Sequence, residues 1–215
     1  GGFVGRSTAA QFDLVETMCF DPAEGVPLIE LHLERLKTSA AELGFAFDRH
    51  ALRNAIQALC FDLDGPAKLR VAASRSGAYA IEAAPLREPL PEPATAALLP
   101  LPLAANDWRL RHKTSDRGFY EEALAVAEAA GADEAAFVDE AGRVTEGSFT
   151  NLFVERDGKL LTPPASLGLL PGVLRRSLLD AGRVAESELR IIDLEGGFLI
   201  ANALRGLLPA RLLGG

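Results

Sequence analysis

Thr145-Glu146-Gly147-Ser148-Phe149-Thr150-Asn151 lies between two turn signals and decides how this chain is read. Upstream, Asp139-Glu140-Ala141-Gly142 separates two apolar runs. Downstream, Glu155-Arg156-Asp157-Gly158 does the same. Both end in glycine, which supplies the positive φ that tight hairpins need. They predict hairpins pairing 135–138 with 143–145 and 149–154 with 159–162. Glu146 then sits at the end of a strand, next to a glycine. Working outward, Arg111-His112-Lys113-Thr114-Ser115-Asp116 precedes the hairpins, and Leu170-Pro171-Gly172-Val173-Leu174 follows them, opening a helix over 172–181 that Gly182 closes.

Further toward the N-terminus, 12–18 reads as a strand and 28–43 as a helix. Leu28, Leu36, Ala40 and Leu43 recur on one face, and Gly44 stands just past the end. Asp48 N-caps a second helix with Leu52, Ile56 and Leu59 on its buried side. Strands are expected over 68–74 and 78–83, joined by Arg75-Ser76-Gly77. Six prolines from Pro85 to Pro102 exclude a continuous helix there, with one strand expected over 94–99. Beyond them, 120–130 is helical up to Gly131, and strands follow over 189–192 and 198–201. The division this predicts is a linker over 1–11, a small N-terminal α/β domain over 12–104, and a larger hairpin-rich C-terminal domain over 105–215.

The 215 residues carry a net charge of −8, and 48% of them are hydrophobic. That balance suits a globular protein and argues against a nucleic-acid surface, which needs clustered cations. No apolar run is long enough to span a bilayer. Cys19 and Cys60 fit a reducing, cytoplasmic setting and lack metal-ligand spacing. With only His32, His50 and His112, no metal site is expected. There is no Walker loop, no Gly-x-Gly-x-x-Gly, no nucleophile elbow and no His-Glu-x-x-His. The start at Gly1-Gly2, without Met, reads as a chain processed or cut from a longer polypeptide.

Three groups carry chemistry. Lys113 is an amine that can form a Schiff base if burial or a neighbouring cation keeps it unprotonated. Glu146 is a carboxylate that can hold a pyridine nitrogen protonated. The free N–H groups at the Gly172-Val173-Leu174 helix start can bind phosphate. Arg35, in His32-Leu33-Glu34-Arg35-Leu36, suits a phosphate oxyanion. Taken singly, each has a commoner reading: a solvated loop lysine, a strand-end glutamate, an ordinary helix start and an exposed helical arginine. Their order along one chain points instead to pyridoxal phosphate.

This set resembles the class IV, or fold type IV, pyridoxal-phosphate enzymes, which include branched-chain and D-amino-acid aminotransferases and aminodeoxychorismate lyases. The resemblance rests on Leu14-Val15-Glu16-Thr17-Met18, the His-Leu-Glu-Arg-Leu helix, His112-Lys113-Thr114, the Thr-Glu-Gly-Ser-Phe-Thr-Asn stretch, Leu169-Leu170-Pro171-Gly172-Val173 and Ala201-Asn202-Ala203-Leu204-Arg205-Gly206. It implies a two-domain α/β (α+β) fold, with the cofactor between the domains of a homodimer. It makes Lys113 the Schiff-base lysine and Glu146 the partner of the pyridine nitrogen. Arg35, Gly172, Val173 and Leu174 become the phosphate site, with Asn202 and Ala203 beside it. Thr17 would face the substrate. The Asn202–Gly206 stretch looks more like the lyases.

The expectation is therefore a lyase acting on 4-amino-4-deoxychorismate, a dicarboxylate, for which Arg109, Arg111 and Arg205 are candidate ligands. A chorismate-aminating synthase, fused or associated, is the expected partner. An aminotransferase on the same fold is the first alternative, and a catalytically silent binding module the second. The aminotransferases often carry a tyrosine five residues after the lysine. Here that position is Gly118, leaving open whether Tyr120 substitutes.

Overall fold

The computed structural model describes residues 11–215; the expected linker lies outside them except for Gln11. Two sheets organise the chain. Strands β1 (Leu14–Phe20), β2 (Ala67–Ala73) and β3 (Tyr79–Ala84) form an antiparallel three-stranded sheet in that order. Helices α1 (Ile29–Leu43) and α2 (Arg49–Phe61) cover one of its faces. Gly44 closes α1 with φ 74°, and the Asp48 carboxylate accepts the Ala51 N–H at 3.0 Å to start α2.

Alternation sets the faces of this sheet. Leu14, Met18, Phe20, Ala67, Leu69, Val71 and Ala73 point to the helices and join Leu33, Leu36, Leu52 and Ile56 in one core. Val15, Thr17, Lys68 and Arg70 are left on the opposite face, which borders a cleft.

The second sheet has nine strands. They are β4 (Ala94–Pro100), β5 (Glu134–Val138), β6 (Arg143–Gly147), β7 (Asn151–Arg156), β8 (Lys159–Thr162), β9 (Val184–Glu186), β10 (Leu189–Arg190), β11 (Phe198–Asn202) and β12 (Gly206–Leu212). Their order is β10-β6-β5-β4-β12-β11-β7-β8-β9. Helix α3 (Gly118–Ala129) lies against β4 and β5. Helix α4 (Val173–Asp180) packs on β9 and β11 and also touches α1, joining the two units.

The sheet changeover comes between β3 and β4, within the proline-rich stretch, because β4 pairs with β5 and β12 in the larger sheet. The strand expected over 189–192 ends at Arg190, where Asp193 accepts the Arg190 N–H at 2.7 Å and a short helix, α5 (Ile191–Leu194), begins. The sequence reading has no counterpart of β12, an inner strand carrying Pro209. Proline cannot donate to a ladder, and pairing with β4 starts one residue later, at Ala210.

Candidate active site

A cleft of about 520 Å³ separates the small sheet from the mouths of the hairpins and the start of α4. Lys113 enters it on an extended segment running beside β1. The Lys113 carbonyl accepts the Val15 N–H at 3.0 Å, and the Ser115 N–H donates to the Asp13 carbonyl at 2.9 Å. The amine is thereby stitched to the strand that carries Glu16 and Thr17. Loss of surrounding water pushes the Lys113 ammonium down to about 7; Arg35 and Arg117 add repulsion, while Glu16 opposes the shift.

Glu146, on β6, is buried. It accepts the Tyr120 hydroxyl at 2.7 Å on one oxygen and the Leu170 N–H at 3.1 Å on the other. Burial nevertheless raises its carboxyl to about 8. The phenol of Tyr120 is itself driven up, first by burial and then by Glu146. The turn after Glu146 is held by Glu134, a buried carboxylate that the sequence reading missed. It accepts hydrogen bonds from the N–H groups of Ala135, Ser148 and Phe149 and from the hydroxyls of Ser148 and Thr150. A Cβ on Gly147 would come within 2.6 Å of Glu134 Oε2, so the turn leaves room only for glycine.

The same stretch builds the helix start. Asn151 Nδ2 donates to the Leu170 carbonyl at 3.0 Å. A Cβ on Gly172 would collide with Asn151 Oδ1. Gly172 thus caps α4, its carbonyl accepting the Arg176 N–H at 2.9 Å. The N–H groups of Val173, Leu174 and Arg175 come before that first bond and have no partner inside the helix. Gly172 and Val173 line the cleft.

Arg35 reaches toward the same end from α1. Its Nε and Nη2 donate to the two oxygens of Glu16 at 2.6 and 2.7 Å, and Nη1 donates to the Pro171 carbonyl at 3.2 Å. One hydrogen on each Nη stays uncommitted. Glu16 also meets His32 Nδ1 at 2.7 Å. Burial alone would raise the Glu16 carboxyl, but Arg35 and His32 outweigh it and hold it at about 2. Among the described residues, buried His32 Nε2 finds no hydrogen-bond partner.

The remaining expected positions also lie at the cleft. Thr17 and Ala203 line it. The Asn202 side chain donates to the Phe149 carbonyl at 2.9 Å and accepts the N–H groups of Leu204 and Arg205. Its amide therefore shapes the turn carrying Ala203, and Asn202 also lines the cleft. Of the three candidate cations for a substrate, Arg205 lines the cleft. Arg109 also borders it but is bound to Asp107 at 2.9 Å, and Arg111 is exposed and outside the lining. Lys68, Arg70, Arg87 and Arg117 line the cleft as well, and the sequence reading passed over them. The alternation of Lys68 and Arg70 with Ala67, Leu69 and Val71 was the signal that places two of them on one face. Among the described residues, none of Lys68, Arg70, Arg87, Arg117 and Arg205 forms an ion pair with a carboxylate.

The family model for amino-transferase class IV matches residues 13–213. A Schizosaccharomyces pombe protein provisionally named aminodeoxychorismate lyase is 28% identical over 214 residues, covering 94% of this chain and 90% of its own. The crystal structure of a Mesorhizobium loti protein provisionally described as an amino-acid aminotransferase superposes with a TM-score of 0.86 at 38% identity, covering 94% of this chain and all of that one. A Mycobacterium tuberculosis hypothetical aminotransferase in its PLP-bound form shares the fold, with a TM-score of 0.79 at 23% identity over 94% of this chain and 81% of its own.

Proposed function

This chain belongs to the amino-transferase class IV family, and from that premise we propose that it is a pyridoxal-phosphate enzyme converting 4-amino-4-deoxychorismate to 4-aminobenzoate and pyruvate. The residues at the cleft fit the cofactor. The cap at Gly172, closed to any side chain by Asn151, leaves unpaired N–H groups where a phosphate would be received, and Arg35 keeps two N–H groups free beside them. Arg35, Val173 and Leu174 would hold the phosphate, Glu146 the ring nitrogen, and Lys113 the aldehyde carbon. When bound, the cofactor supplies an electron sink for the carbon bearing the substrate amine.

The observation that carries the substrate class is the unneutralised face formed by Lys68, Arg70, Arg87 and Arg205. The Lys68 ammonium is depressed by burial and then by Arg87, Arg70 and Arg205. The Arg205 guanidinium is depressed by burial and then by Arg87. Like charges crowded this way are relieved by an anionic ligand, and two substrate carboxylates provide one. The lyase reading draws further support from the Schizosaccharomyces pombe relative.

With its ammonium pushed down to about 7 by burial, Lys113 Nζ can serve as a proton acceptor near neutral pH. It removes the proton from the ring carbon bearing the amine and returns one to the departing enol, giving pyruvate. Thr17, on the cleft face of β1, orients the substrate. Arg87 and Arg205 hold its carboxylates. The resemblance alone extends this reading to a homodimer and to a chorismate-aminating synthase as fused or associated partner.

The deciding experiment supplies the cofactor and 4-amino-4-deoxychorismate without any 2-oxo acid and measures pyruvate. Sustained release is expected, and Lys113→Ala should lower it by at least about 10³-fold. Retained turnover in that variant would overturn the role of Lys113. A second reading, an aminotransferase acting on D-amino or branched-chain amino acids, is favoured by the 38% identical Mesorhizobium loti protein. Absence of pyruvate, together with amino-group transfer to a 2-oxo acid, would select it.

A further inference from the structure

Arg117 stands apart from the other cleft cations. It is the residue that enters α3, four positions after Lys113. Its Nη2 donates to the Ser148 carbonyl at 3.0 Å, two residues beyond Glu146. Its guanidinium carbon lies 5.6 Å from the centre of the Tyr120 ring, and Tyr120 is the residue whose hydroxyl donates to Glu146. Its Nε is buried and has no partner among the described residues. One side chain, carried on the segment after Lys113, therefore touches the turn after Glu146 and the tyrosine whose hydroxyl donates to Glu146.

We propose that Arg117 is a positioning residue, a strut that ties the Lys113 segment to the Glu146 turn and fixes a permanent positive charge in the cleft that both groups line. A strut is needed because the two segments share no backbone ladder. Lys113 is stitched to β1 in the small sheet, and Glu146 belongs to β6 in the large one. The charge acts on both groups in the sense the site requires. It repels the Lys113 ammonium and favours the Glu146 carboxylate. Lysine has a single ammonium in place of the guanidinium fork, so it keeps the charge but loses the simultaneous grip on the Ser148 carbonyl and the Tyr120 ring.

Other charges face these groups. Arg35 from α1, Lys68 from β2 and Glu16 from β1 act on Lys113. Glu134 from β5 and Tyr120 from α3 act on Glu146, and Arg175 on α4 feels it. Of these groups, Arg117 alone acts on Lys113, Glu146 and Tyr120 together.

The inference rests on reading Lys113 and Glu146 as the functional pair, but its test needs neither cofactor nor turnover. The cofactor-free protein is labelled with acetic anhydride across pH 5–10, and modification of Lys113 is quantified by peptide mass spectrometry. Arg117→Gln should move the labelling midpoint up by at least about 0.5 unit. Arg117→Lys should keep it within about 0.2 unit while amide exchange speeds up severalfold at 113–117 and 148–150. An unmoved midpoint in a folded R117Q protein would overturn the electrostatic half. Unchanged exchange in R117K would overturn the strut. If R117Q does not fold, a midpoint in R117K displaced as far as 0.5 unit would itself refute the charge argument. Failure of Lys113→Ala to abolish turnover would sink the functional assignment and leave these shifts in place.

Discussion

Glu16 and Glu146 are both buried carboxylates, one behind Arg35 and the other lining the cleft, and their carboxyls are shifted in opposite directions. Glu16, on the small sheet, faces Arg35 and His32 and is held at about 2. Glu146, on the large sheet, faces a neutral hydroxyl and a backbone N–H and rises to about 8. Burial penalises both. The difference lies in whether the donors carry charge, because only a cation offsets the loss of water around a carboxylate. Glu16 is thus locked as an anion that fixes Arg35. Glu146 is left with an unsatisfied preference for a positive partner, which a protonated ring nitrogen would meet.

The strongest way to break this contrast is Glu16→Ala. It strands Arg35 and His32 around an empty site and should cost about 3–5 kcal/mol in urea unfolding; a loss below about 1 kcal/mol would mean that the cluster is not a structural unit. Next comes the pH dependence of the cofactor-free protein. Glu146 has its carboxyl raised in the fold, so its contribution is present at low pH and is lost as pH rises toward 8. Between pH 5 and 7 this should amount to roughly 2–3 kcal/mol. Lys113, held near 7 when folded and titrating near 10.5 when unfolded, begins to oppose this slope as pH approaches 7 and opposes it fully above. Glu146→Gln should flatten the difference, and parallel curves for the two proteins would refute the raised value. The smallest effect is Tyr120→Phe, which removes one of two donors to Glu146 and should cost about 1–2 kcal/mol by thermal or urea unfolding. A neutral or stabilised Y120F protein would show that the hydroxyl is dispensable to the carboxyl.

The local devices were legible along the chain. Gly44 and Asp48 mark their helix ends because αL geometry and side-chain capping involve only neighbouring residues. The two hairpins around Thr145–Asn151 follow from their turn residues for the same reason. What the reading missed depends on distant contacts. Glu134 looks like an ordinary strand residue until the 148–150 turn folds over it. Pro209 argues against a strand until the register shows pairing with β4 starting one residue later. Tyr120 is one of many helix residues until Glu146 comes within 2.7 Å.

By itself, the sequence determined the hairpins, most helix ends, and the residue types that make Lys113, Glu146 and the Gly172 helix start candidates. These are properties of residue type and short spacing, set by backbone sterics and local hydrogen bonds. Only the tertiary structure decided which cations face the cleft, which buried carboxyl is shifted down and which is shifted up, and that Arg117 reaches the turn after Glu146. Those outcomes depend on distance and on the exclusion of water, and both arise only when segments far apart in the chain pack against one another.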